Sequence, residues 1–265
     1  MTQLIIFTDL DGTVLNHHNY AYEAVLPLLA VLKAKSIPVI LNSSKTLAEL
    51  EVWQRRLRLD TPMIAENGGV IRFKDQSGEI QTQLIGMPYD QIRSTVKHLR
   101  KVNGWKFEGF GDWTVAEVMN HTHLSTSDSV VAKERKVTEP ILWNDTEANF
   151  KQFVIALSVM GLSLKKGGRF YHVMAQHDKA DAMRYIKNNL DILGLKSPVK
   201  TIALGDGGND QSMLDFADVA VVMPAASGKS LVVAGAVYAQ SEAPNGWVES
   251  IQTILNNEVL ETLSS

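Results

Sequence analysis

Leu4-Ile5-Ile6-Phe7-Thr8-Asp9-Leu10-Asp11-Gly12-Thr13 begins as an apolar run and ends in two aspartates one residue apart. A short continuous apolar run bounded by a turn reads as a strand buried on both faces, the kind found in parallel sheets. Ligands of open α/β sheets bind beyond the carboxyl ends of such strands. Asp9 and Asp11 are therefore expected at the mouth of a site, where Gly12 and Thr13 turn the chain out of the sheet. Two carboxylates this close repel unless a shared proton or a cation offsets them. A hard, oxygen-seeking ion such as Mg2+ meets that need.

A second apolar run, Thr201-Ile202-Ala203-Leu204, ends in Gly205-Asp206-Gly207-Gly208-Asn209-Asp210. Each aspartate-bearing loop alone also reads as a polar loop closing a strand. Together, two strand ends with paired carboxylates suit metal-assisted phosphoryl transfer, in which one carboxylate attacks phosphorus and others hold the ion.

Outward from these runs the chain alternates strand and helix. Strands are predicted at 4–10, 37–42 and 62–65, and helices at 22–35 and 46–58, with Pro27 tolerable only in a first turn. Glu66-Asn67-Gly68-Gly69 introduces a hairpin whose loop falls at 74–78. The middle carries helices at 88–101, 113–120, 127–136 and 146–158, and strands at 106–110, 139–143, 162–165 and 169–174. The alternation then resumes with helices at 179–193, 209–216 and 246–261 and strands at 199–205, 218–223 and 236–239. The economical layout is α/β: a doubly wound, Rossmann-like parallel-sheet core from 1–84 and 177–265, with an α/β cap inserted at 85–176. Hinges are expected near 84–87 and 174–178.

Composition narrows the function classes. The 265 residues hold one large domain or two modest ones, and 45% apolar content is ordinary for a globular chain. A net charge of −3 without a basic run gives no reason to expect nucleic acid. The absence of cysteine excludes disulfides, thiolate catalysis and cysteine-based zinc sites. No apolar stretch is long enough to span a bilayer, and the chain enters a strand too soon for a signal peptide. The expected setting is the cytoplasm, as a monomer or weak homodimer.

With both aspartate motifs in order, the chain resembles the haloacid dehalogenase superfamily of phosphohydrolases. Ser43, after the run Val39-Ile40-Leu41-Asn42, and Lys179, before a helical pattern, match the two remaining motifs. The resemblance implies Asp9 as nucleophile and Asp11 as general acid and base. It implies a Mg2+ site made by Asp9, the Asp11 backbone carbonyl and Asp206, with Asp210 more an orienting group than a ligand. It also implies Ser43 and Lys179 on the phosphate oxygens, with Thr13, Ser44, Asn67, Gly68 and Asn209 around the substrate. Plainer readings stand beside these. Ser43 suits a helix cap, Lys179 a surface lysine and Asp210 an N-cap, while Asp178 and Asp181 read as helix-start charges. The seven histidines show no ligand spacing, and His17-His18 reads as a solvated loop.

Three segments resemble the mannosyl-3-phosphoglycerate phosphatase branch: Asn42-Ser43-Ser44-Lys45-Thr46, Glu66-Asn67-Gly68-Gly69 and Lys165-Lys166-Gly167-Gly168-Arg169-Phe170-Tyr171-His172. That resemblance implies a mannosyl- or glucosyl-phosphoglycerate substrate bearing both phosphate and carboxylate. Arg169 is suited to grip the carboxylate, Gly167 and Gly168 offer backbone N–H groups, and His172 is a further contact. In a regular strand, however, His172 falls off the alternation of Arg169. A broader sugar-phosphate phosphatase and a phosphosugar mutase remain alternatives, because relatives with the same motifs do both.

Overall fold

The structure, a computed structural model, describes residues 3–263 except Gly168, Ser227 and Lys229, with side chains through Asn257. The first third forms β1 (Gln3–Thr8), α1 (Leu26–Ala34), β2 (Val39–Asn42), α2 (Leu47–Leu57), β3 (Met63–Ala65), β4 (Val70–Lys74) and β5 (Ile80–Leu84). The middle forms α3 (Tyr89–Asn103), β6 (Phe107–Gly109), α4 (Val115–Thr122), α5 (Thr126–Ala132), β7 (Thr138–Trp143), α6 (Glu147–Val159), β8 (Leu162–Lys166) and β9 (Tyr171–Ala175). The last third forms α7 (Lys179–Asn188), β10 (Val199–Gly205), α8 (Gln211–Phe216), β11 (Val219–Val222), β12 (Val237–Tyr238) and α9 (Asn245–Leu263).

Both ends of the chain build one eight-stranded sheet in the order β12-β11-β10-β1-β2-β3-β4-β5. β1 pairs parallel with β10 on one side and β2 on the other, so the strand order reverses at β1. Loops leaving neighbouring strands part there and open a crevice at the carboxyl ends. Alternation along β1 sends Ile6 to one layer and Ile5 and Phe7 to the other. The first layer is packed by Leu28, Leu32, Leu50, Trp247 and Ile251 from α1, α2 and α9. The second is packed by Met183, Ile186, Met213 and Leu214 from α7 and α8. Helices on both faces make the core doubly wound, and the run Ile5–Phe7 is fully buried, as its unbroken apolar character requires. Within this sheet, among the described residues, the hairpin strands β4 and β5 bring the antiparallel pairings.

The middle of the chain forms a separate antiparallel sheet, β6-β7-β9-β8. Ile92 and Val96 from α3 and Phe153 and Leu157 from α6 cover one face, against Phe107, Ile141 and Val173. Strand alternation turns His172 and its cross-strand partner Lys165 to the opposite face.

Two expected helices end four or more residues earlier than their patterns suggest. The one expected over 179–193 stops at Asn188, where Asn189 leaves the helical region and a 3-10 turn at Leu190–Leu193 ends on left-handed Gly194. The one expected over 127–136 stops at Ala132. Beyond it, Lys136 N and Val137 N donate to the buried Glu66 carboxylate at 2.7 and 3.0 Å, and Thr138 Oγ1 does so at 2.7 Å. Those amides serve a contact between the two sheets instead of another helical turn. The same segment is held by Thr46 Oγ1 donating to Val131 O at 2.8 Å and Arg135 Nη1 donating to Ser44 O at 3.0 Å.

Candidate active site

β1 ends at Thr8, so Asp9 stands where the sheet stops, 6% exposed. β10 ends at Gly205 beside it and delivers Asp206. Asp9, Asp206 and Asp210 each offer a carboxylate oxygen within 4.8 Å of the others. Lys179, the first residue of α7 and fully buried, donates to Asp9 Oδ1 and Asp210 Oδ1, each at 2.6 Å. The surface-lysine reading therefore does not hold. Burial works against the Lys179 charge, but Asp210 and Asp9 outweigh it and raise its pKa.

Asp210 makes no side-chain cap bond to α8. Its second oxygen accepts Asp206 N at 3.0 Å and Gly207 N at 2.9 Å, so it braces the loop that carries Asp206. The cap reading of Ser43 fails too. Thr46 caps α2 in a reciprocal box with Glu49, while Ser43 Oγ accepts Lys45 N at 3.3 Å. Asp178 and Asp181 are the helix-start pair expected, capping α7.

The cluster carries more negative charge than Lys179 offsets. Burial pushes the Asp9 carboxyl well above its usual range; Lys179 pulls it back, while Asp210, Asp206 and Asp11 push it further up. Burial, then Asp210, lifts Asp206 to about 6. Three hard oxygen donors with unbalanced charge fit a divalent cation such as Mg2+.

Asp11 lies beyond this trio. Its Oδ2 is 3.0 Å from Lys45 Nζ, and its Oδ1 is buried without a hydrogen-bond partner. Thr13, expected to tie down the turn, instead points at Asp206 Oδ1, 3.5 Å away. Asn209 Nδ2 donates to Asn67 Oδ1 at 3.1 Å, which links the β10 loop to the 3-10 turn at Glu66–Gly68. Gly68, at φ +91°, packs on the Asp178 carbonyl, where a Cβ has no room. It brings the loop against the start of α7 and shapes the site through backbone. Ser44 presents its carbonyl to Arg135.

The cap residues expected at the substrate are not gathered there. Arg169 precedes β9 and donates to His121 O at 3.0 Å and Thr122 O at 2.9 Å, closing the end of α4. Its guanidinium is engaged because those terminal carbonyls lack helical partners. His172 lies in β9, buried, with Nδ1 unpartnered. Burial, with the Arg135 charge added, lowers its pKa to about 3. Gly167 N closes a turn on Phe170 O at 2.9 Å, and Gly168 lies outside the described residues.

Two residues escaped the sequence reading. His17, expected in solvent, places Nε2 3.0 Å from Asp206 Oδ2 and folds over Gly12, whose φ of +74° makes the turn. Lys45 is an ion-pair partner of Asp11. The available signal for Lys45 was its place two residues after Ser43 in the segment Asn42–Thr46.

A family model described as haloacid dehalogenase-like hydrolase matches residues 6–251. A glucosyl-3-phosphoglycerate/mannosyl-3-phosphoglycerate phosphatase from Persephonella marina is 35% identical over 96% of this chain and 97% of its own. One of the same description from Methanococcoides burtonii is 35% identical over 96% of this chain and 99% of its own. Among solved structures, a phosphatase of the haloalkanoate enzyme superfamily from Bacteroides thetaiotaomicron superposes with a TM-score of 0.71 at 18% identity, covering 96% of both chains.

Proposed function

The chain belongs to the haloacid dehalogenase-like hydrolases, and on that premise we propose that it hydrolyses glucosyl- or mannosyl-3-phosphoglycerate to the glycosyl-glycerate and phosphate. The observation that carries the chemistry is the buried Lys179 bridging Asp9 and Asp210 beside Asp206, at the carboxyl ends of β1 and β10. The substrate class rests on the likeness to the two glycosyl-phosphoglycerate phosphatases across nearly the full length of each.

In this reading Lys179 holds Asp9 Oδ1 and leaves the second oxygen to attack phosphorus. The phosphorus–oxygen bond to the glycerate breaks, an aspartyl-phosphate forms on Asp9, and Asp11 gives its proton to the departing alkoxide. Asp11 then takes a proton from water, which attacks phosphorus and frees Asp9. Lys179 and Ser43 bind the equatorial phosphate oxygens as their charge redistributes. Asp9, Asp206 and the Asp11 carbonyl would hold Mg2+, with Asp210 bracing the shell; bound there, the ion offsets phosphate charge. Thr13, Asn67 and Asn209 fix the loops around it. Residues 85–176 act as the cap that shields the reaction from water.

The test is phosphate release, with Mg2+, from both glycosyl-3-phosphoglycerates and from a set of simple sugar phosphates. We expect a marked preference for the glycosyl-phosphoglycerates. Equal or better turnover of simple sugar phosphates would favour the broader phosphatase. An isomeric sugar phosphate formed without phosphate release would reveal a mutase.

A further inference from the structure

We propose that Lys45 is the residue that recognises the carboxylate of the leaving group, and that the cavity beside it holds the sugar. This rests on the phosphatase reading above, because it takes Asp11 as the group that protonates the leaving oxygen. Whatever touches the Asp11 carboxylate is then within reach of the leaving group. Lys45 Nζ is that neighbour, 3.0 Å from Asp11 Oδ2. Its side chain is 15% exposed, so its charge is concentrated on few neighbours.

Lys45 also forms part of the wall of a cavity of about 500 Å³ between the two sheets' domains. Tyr20, Tyr22 and Trp53 come from the core side, and Leu124 and Val131 from the cap side. Exposed aromatic surface beside polar groups suits the apolar face of a pyranose ring. The three carboxylates along this wall are already engaged, Glu23 through its Oε2, which accepts Tyr22 N at 3.0 Å. Glu49 Oε2 accepts Thr46 N at 2.8 Å, and Asp128 Oδ2 accepts Ser125 Oγ at 2.7 Å. Glu49 Oε1 stands 3.9 Å from Lys45, beyond hydrogen-bond length, so the ammonium keeps donor capacity beyond Asp11. An anionic group entering from the cavity side meets a half-buried cation paired with Asp11. Arg169 offers nothing comparable, since it is tied to the end of α4.

The experiment compares glucosyl-3-phosphoglycerate with glucosylglycerol 3-phosphate, which differs only by CH2OH in place of the carboxylate. The readout is the ratio of their kcat/KM values in wild type, Lys45→Gln, Lys45→Arg and Lys165→Gln. Lys165 is the competing cation, since it lines a second cavity together with Lys179, Asn67 and Asn209, and its variant decides between the two positions. We expect wild type to favour the carboxylate substrate and Lys45→Gln to lower that ratio roughly 10- to 150-fold, mainly through KM. Lys45→Arg should restore most of it, and Lys165→Gln should leave it intact. Calorimetric binding of glucosylglycerate, the dephosphorylated product, should weaken in Lys45→Gln by a similar factor, which separates recognition from turnover. A ratio unchanged in Lys45→Gln, or one that falls in Lys165→Gln instead, overturns the assignment and leaves the phosphatase reading standing. A wild-type enzyme that hydrolyses both but does not prefer the carboxylate substrate overturns the assignment and the glycosyl-phosphoglycerate specificity together, and one that releases phosphate from neither overturns the phosphatase reading.

Discussion

At the scale of single residues, Asp206 and Asp210 share a motif but do different work. Asp210 is wholly buried and holds Lys179 with one oxygen and two loop amides with the other. Removing one partner of a buried ion pair typically costs about 3–5 kcal/mol, so Asp210→Ala should lose about that much in urea unfolding. Asp206 is pushed toward neutrality by burial and by Asp210, so Asp206→Asn should cost less than about 1 kcal/mol while losing activity. Equal destabilisation by the two would refute this division. His172 gives a pH dependence. Its folded pKa lies near 3 against 6.5 unfolded, so the unfolded chain binds the extra proton between those values and stability falls as pH drops below 6.5. At pH 5 the loss is about 2 kcal/mol relative to pH 7.5. His172→Gln should flatten that part of the acid limb, and an unaltered slope would show that other groups set it. The acidic trio was readable because an apolar run fixes where a strand ends and hence where its next residue stands, whereas Lys179, at the start of a helix, was readable only through the family resemblance. His17 and Lys45 were not, because their places depend on turns: the left-handed Gly12 for one, and the Ser43–Thr46 approach to α2 for the other.

At the scale of elements, Glu66 joins the two sheets. It adopts φ +51°, and its fully buried carboxylate accepts two amides and a hydroxyl from residues 136–138. A non-glycine residue in that region marks a position held by its surroundings. Glu66→Ala leaves two buried donors, the Val137 N–H and the Thr138 hydroxyl, without this acceptor. At about 1–3 kcal/mol for each unsatisfied group, the variant should lose roughly 2–5 kcal/mol, and amides 136–138 should exchange faster with solvent. Unchanged protection there would show that the contact does not hold the cap segment. None of this was visible in the sequence, where Glu66-Asn67-Gly68-Gly69 reads only as the lead into a hairpin. Helix ends show the same limit. α5 stops at Ala132, where Lys133 N and Glu134 N close tighter turns on Val130 O and Val131 O before Lys136 N and Val137 N turn to Glu66, a tertiary contact that local periodicity does not encode. Where local signals agree with packing the expectation was close, as for β10 at Val199–Gly205 and the hairpin strands β4 and β5.

At the scale of the whole molecule, the site exists only when the chain's two ends meet. Asp9 closes β1 and Asp206 follows β10, and the register Thr8↔Leu204 brings together segments nearly 200 residues apart. Among the described residues no helix is long and apolar enough to cross a membrane. The doubly wound layout was legible because unbroken apolar strands alternate with helical periods at both ends of the sequence. The way the cap meets the core was not, since it depends on single side chains such as Thr46, Glu66 and Arg135. This long-range assembly gives the metal a measurable role in stability. An ion that binds the acidic trio binds the folded state alone, because the unfolded chain does not hold Asp9 near Asp206 and Asp210. Mg2+ at a hundredfold its dissociation constant should therefore add about 2.7 kcal/mol to the unfolding free energy and raise Tm, and a chelator should reverse both. Asp206→Asn removes a donor from the trio while leaving the Asp210 brace in place, so it should retain the fold yet lose most of that increment. If wild type gains nothing from saturating Mg2+, or if Asp206→Asn gains as much as wild type, the ion is not held by this cluster.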